Sequence, residues 1–152
     1  MSSNRASELP RGGGFILGVL IFGVVATTAY WVIWFGVNRE WLASAHSESY
    51  YAFENSFPAA DAWMTLVGIG ATVALMRRRA SALLWSIAAG TTSIYLGLLD
   101  VLFDLENGIY RAADSGGVIV EIIINVLTLA MGAVVLVWAW RKRRELAAFG
   151  GW

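Results

Sequence analysis

Asp61, Asp100, Asp104 and Glu121 are the side chains of this sequence most able to do chemistry, because each sits in or beside a long apolar run. An ionisable group within such a run is costly to bury and marks a functional position by default. The stretch YLGLLDVLFDLENGIY, residues 95–110, begins as an oily helix and closes with Asp100, Asp104 and Glu106. A helix C-terminus carries partial negative charge, so the macrodipole disfavours acids there and their placement needs another reason. Crowded carboxylates titrate as a group, and a cation brought among them relieves their repulsion. Hard cations such as Ca²⁺ or Mg²⁺ take oxygen ligands, which makes Asp61, Asp100 and Glu121 the expected metal ligands. An organic amine would be held by a carboxylate together with the rings of Tyr30, Trp34 or Tyr95. Asn125 lies one turn beyond Glu121 and is expected to orient it by a hydrogen bond.

Much other chemistry is excluded. The chain has no cysteine, which removes thiol catalysis and thiolate metal sites. Its single histidine, His46, rules out bis-His haem ligation within one chain and disfavours zinc. There is no phosphate-binding glycine loop, HExxH, GxSxG or CxxC motif, so the sequence favours a binding protein over an enzyme. The aromatic residues are scattered and accompany no basic groove, so nucleic acid is not an expected partner. No cofactor is indicated beyond a divalent cation.

The elements that position these residues follow from composition. The 152 residues are 58% hydrophobic and only 14% charged, where a soluble domain averages about 25% charged. Four apolar segments, at about 15–37, 59–76, 80–102 and 118–140, each meet the ~17–25 residues a membrane-spanning helix needs. The expected fold is all-α: a single integral membrane domain over residues 1–152, an antiparallel bundle of four transmembrane helices. The first segment follows Arg5 and Arg11 as a signal peptide would, but it exceeds the ~7–15 residues of a secretory apolar core and is expected to stay as a span.

Nine of the eleven basic residues flank one side of these spans: Arg5, Arg11, Arg77 to Arg79, and Arg141 to Arg144 with Lys142 among them. The positive-inside rule then puts both termini in the cytoplasm of a cell (inner) membrane, N-in and C-in. Loops at about 38–57 and 104–117 fall outside. The first mixes Trp41, Tyr50, Tyr51 and Phe53 with charge, as a partly helical interfacial segment would. The second carries Asn107-Gly108 and Gly116-Gly117 as turn signals. Glu40, Glu48 and Asp114 read as solvated loop charge.

Each span also carries one small or polar stripe at helical spacing. These read Gly23, Thr27, Tyr30, Trp34; Asp61, Thr65, Gly68, Thr72; Ser86, Gly90, Ser93, Gly97, Asp100, Asp104; and Glu121, Asn125, Thr128, Gly132. Small residues let membrane helices approach and hydroxyls bond between them, so the stripes predict a packed bundle. Counted from the basic flanks at ~1.5 Å per residue, Asp61, Asp100 and Glu121 reach ~24, ~31 and ~30 Å, a common depth near the outer edge of the hydrocarbon. Ser56 and Pro58 offer an N-cap and first-turn pair that would give Asp61 a structural role instead.

Asn55-Ser56-Phe57 with Asp61, the hairpin through Arg77-Arg78-Arg79, and Phe103-Asp104-Leu105 resemble a group of small four-span bacterial membrane proteins of the YvaD-like type, over residues 53–110. That resemblance implies the architecture and no chemistry. In span count and membrane acids the chain is also similar, by analogy alone, to the EXPERA four-helix fold of sterol isomerases and the sigma-2 receptor. The expected function is binding, or transport, of a cation or cationic small molecule in an acidic pocket formed by Asp61, Asp100, Asp104, Glu121, Asn125, Tyr30 and Trp34. The alternatives are an accessory subunit of a larger membrane complex and an EXPERA-like lipid-binding protein or isomerase. Membrane lipids and a second copy of the chain are the other expected partners.

Overall fold

A computed structural model describes residues 8–111 and 115–150 of the chain. Every regular element among them is helical. Helix α1 (Gly13–Ile33) continues through a π-helical turn (Trp34–Asn38) and a 3₁₀ turn (Arg39–Trp41). It is followed by α2 (Glu48–Glu54), α3 (Pro58–Met76), α4 (Ala82–Glu106), a 3₁₀ turn (Ile109–Arg111), α5 (Ser115–Arg141) and α6 (Arg143–Ala147). Among the described residues four helices, built on α1, α3, α4 and α5, are long and apolar enough to cross a membrane. Even α3, with 19 residues, extends about 28 Å at the helical rise, close to the hydrocarbon thickness.

The chain reverses between α3 and α4 within the three arginines. Arg79 N–H bonds Ala74 C=O at 2.9 Å and Arg78 N–H bonds Leu75 C=O at 3.1 Å, the pairing of a Schellman cap. Arg78 takes the left-handed conformation this cap demands (φ 50°), a position glycine usually fills. At the opposite end of the bundle, the Asn107 side chain bonds the Phe103 carbonyl at 2.9 Å, and Gly108 turns the chain at φ +68°. Arg77 to Arg79 and Arg141 thus lie at one end of the helices, and Asp100, Asp104 and Glu121 toward the other.

Three local expectations change. Helix α4 runs to Glu106, past the expected end near 102, so Asp100 lies more than a turn inside the helix and beyond most of the dipole's reach. Helix α5 begins at Ser115, which makes Gly116-Gly117 helical and puts Glu121 in the second turn. Ser56 does not cap α3: the N-cap is Phe57, and the Ser56 hydroxyl bonds back to the Phe53 carbonyl at 2.6 Å. Residues 112–114 of the expected second loop lie outside the described residues.

Small residues make the seams, as their spacing predicts. A Cβ on Gly90 would stand 2.9 Å from the Gly132 carbonyl oxygen, and one on Gly132 would stand 2.9 Å from that of Gly90, so the α4 and α5 backbones touch there. One turn along, the Ser93 hydroxyl bonds the Thr128 carbonyl across the same seam at 2.8 Å. On α3, Gly68 receives Val24 of α1 and Gly70 receives the Trp85 ring of α4. The main buried cluster fills the basic half, where Ile16, Leu20, Val67, Ala71, Leu75, Ala82, Val135 and Ala139 meet. Helix α6 folds back so that Leu146 and Phe149 close its floor. A second cluster of Trp34, Tyr50 and Ile109 caps the acidic end.

Candidate functional site

Between these two clusters the four long helices enclose a cavity of about 430 Å³. Its walls are mostly apolar, and four carboxylates line it: Glu54, Asp61, Asp100 and Glu121. Each comes from a different helix: α2, α3, α4 and α5 respectively. Tyr30 and Trp31 of α1 and the hydroxyl residues Thr27, Thr65, Ser93 and Thr128 also line it.

Three of the carboxylates are held by neutral donors. The Tyr30 hydroxyl donates to Glu54 Oε2 at 2.9 Å, and Trp31 Nε1 donates to Asp61 Oδ2 at 2.9 Å. The Ser44 hydroxyl donates to Glu121 Oε2, which also accepts a longer bond of 3.4 Å from the Tyr50 hydroxyl. Ser44 reaches so deep because the loop after α1 rests on α5 at Gly117, where a Cβ would come within 3.0 Å of the Ser44 Cα. Asp100 accepts no hydrogen bond among the described residues, and the second oxygen of each of the other three also accepts none. The ion pairs among the described residues, Arg39–Glu40, His46–Glu40 and Lys142–Glu145, all lie elsewhere. The cavity acids therefore have no basic partner among the described residues.

Of the residues singled out from sequence, Asp61, Asp100, Glu121 and Tyr30 meet at this cavity. Trp34, Asp104 and Asn125 do not line it. Trp34 stacks on Tyr30 with ring centroids 5.8 Å apart, but its own ring is buried and its Nε1 donates to Asn55 Oδ1 at 3.1 Å. Asp104 is buried beside the cavity, where Asn125 Nδ2 donates to its Oδ2 at 2.8 Å. Asn125 therefore orients Asp104, while Ser44 and Tyr50 orient Glu121. The same Asn125 nitrogen reaches the Tyr110 hydroxyl at 2.9 Å. Burial pushes the Tyr110 phenol up to about 12, the Asp104 carboxylate adds to this and the Asn125 hydrogen bond opposes it. Tyr95 is exposed on α4, away from the cavity. Among the described residues no group of three or more His, Cys, Asp or Glu side chains is placed to hold a metal ion. Asp61, Asp100 and Glu121 thus share a chamber without forming a joint coordination shell.

Glu54, Trp31 and Ser44 escaped the sequence reading. Glu54 had a legible signal: it follows Tyr50 by one turn, so the two share a face of α2. Trp31 had a weaker one, since a buried indole N–H needs an acceptor. Ser44 had none, because its partner lies 77 residues away.

The chain matches no protein-family model, no curated protein and no solved structure.

Proposed function

We propose that this chain is a polytopic membrane protein that binds an organic cation in the acidic cavity of its bundle. Following the basic flanks, both termini face the cytoplasm of a bacterial inner membrane, and the acids lie toward the opposite face. Asp100 and Glu121 supply charge, Asp61 and Glu54 widen the negative field, and Tyr30 and Trp31 offer rings to the cation. Asp104 and Asn125 brace the α4–α5 wall from behind.

The reading rests on one observation: four carboxylates from four helices share an apolar chamber without a basic neighbour among the described residues, each with an oxygen that accepts no hydrogen bond from them. Charges removed from water without a partner are costly, and a bound cation offsets that cost. A single ammonium group suits separate, singly available oxygens better than Ca²⁺, which takes six to eight close ligands.

The test is thermal unfolding of the purified protein against alkylamines, quaternary ammonium ions, Ca²⁺ and Mg²⁺. An amine at a hundredfold excess over its Kd should stabilise by about 2.7 kcal/mol. Asp100→Asn and Glu121→Gln should each abolish that gain. If no cation stabilises the wild type, the cation reading is wrong.

A further inference from the structure

The cavity has a side opening. Phe22, Ala26 and Ala29 of α1 fall on one helical stripe, and with Leu127 of α5 they line the chamber. Yet Phe22 is 55% exposed, Leu127 is 43% exposed, and both alanines are exposed. Residues that face both the chamber and the outside form its mouth, so the mouth lies between α1 and α5. Lower down the two helices close. Met131 Cε would meet a Cβ on Gly23 at 3.1 Å, and Trp138 lies against Gly12 with its Nε1 donating to the Arg11 carbonyl at 3.1 Å. A shallow apolar groove lined by Phe15, Gly18, Val19, Phe22, Leu127 and Met131 continues the mouth along the surface. The acidic end is covered instead: Leu42, Glu54 and Phe57 line that part of the chamber, and the Trp34, Tyr50 and Ile109 cluster lies over it.

The surfaces flanking the mouth are apolar as well, with Val25 and Val32 on α1 and Ile123 and Val126 on α5 all exposed. In a membrane these surfaces face lipid chains. We infer that the ligand enters sideways from the hydrocarbon through the α1–α5 mouth, and that it is an amphiphilic amine. This inference rests on the cation reading above. The ammonium group sits among Asp100, Glu121, Asp61 and Glu54, and the alkyl tail leaves along the groove past Phe22 and Met131. Ala26 and Ala29 keep the mouth wide enough for a chain, and Gly23 with Met131 forms its lower sill.

The absence of cysteine makes a direct test available. Ala26→Cys and Leu127→Cys, both at exposed sites, are introduced together and bridged with a cleavable bis-maleimide in lipid nanodiscs. Binding of dodecylamine and ethylamine is followed by tryptophan fluorescence. Referred to its aqueous concentration, dodecylamine should bind at least about a hundredfold more tightly than ethylamine, since each methylene taken out of water contributes about 0.8 kcal/mol. The bridge should slow dodecylamine association about tenfold or more, and cleavage should restore it. Ala29→Trp, which narrows the mouth without a linker, should slow association in the same direction. Equal affinity for the two amines, or association unchanged by both the bridge and Ala29→Trp, overturns lateral entry while the cation reading stands. If neither amine binds the unbridged protein, both readings are overturned.

Discussion

At Gly90 and Gly132 the backbones of α4 and α5 touch and form one wall of a chamber of about 430 Å³, which reaches Asp100 ten residues further along α4. The basic half is filled by alanine, valine, leucine and isoleucine from all four long helices and closed below by α6. The acidic half keeps its helices apart with the Tyr30 and Trp31 rings and with carboxylates that cannot pack dry against one another. The difference teaches how one bundle divides its labour. Close helix approach needs small side chains and shared hydrogen bonds. In the chamber, neutral donors from α1 and its following loop hold three of the carboxylates.

The comparison breaks most sharply if volume is added to each half. Gly132→Val should destabilise by about 3 kcal/mol, because a Cβ there already stands 2.9 Å from the Gly90 carbonyl oxygen and 3.0 Å from Ile94. Thr65→Leu, on the chamber wall, should cost under about 1 kcal/mol, since it grows into open space. Chemical unfolding in one detergent measures both, and equal losses would show that the chamber is not open. Removing charge should act in the opposite sense in the acidic half. Without ligand and at alkaline pH, Asp100→Asn should raise stability by about 1 kcal/mol, because it deletes a buried charge that has no partner among the described residues. A loss of stability would mean that Asp100 is structurally satisfied. The smallest effect belongs to the seam: Ser93→Ala should cost about 0.6 kcal/mol, the usual worth of one interhelical hydrogen bond in a membrane protein. A much larger loss would place more of the bundle's stability in polar contacts than in packing.

The contrast between the halves also explains which site residues were legible. Asp61, Asp100, Glu121 and Tyr30 were found because helical spacing alone assigns a face, and these faces do turn inward. Asp104 and Asn125 lie on the same stripes, but α4 and α5 are in contact there, so they meet each other instead of the chamber. A stripe several residues wide cannot be divided between seam and cavity until the crossing of the two helices is known. Glu54 was missed for a different reason. It belongs to a seven-residue helix in a stretch read as an interfacial loop, and only the folding of α2 over the bundle brings it inside.

Length, hydropathy and the distribution of arginine determined by themselves that this chain forms four membrane-length helices with tight small-residue seams, because those properties depend on side-chain size and water avoidance along one helix at a time. Which acids share a chamber, which donors restrain them, and where that chamber opens were decided only in three dimensions. Those features depend on how far apart two helices stand, a distance set by all the side chains between them and by none of them alone.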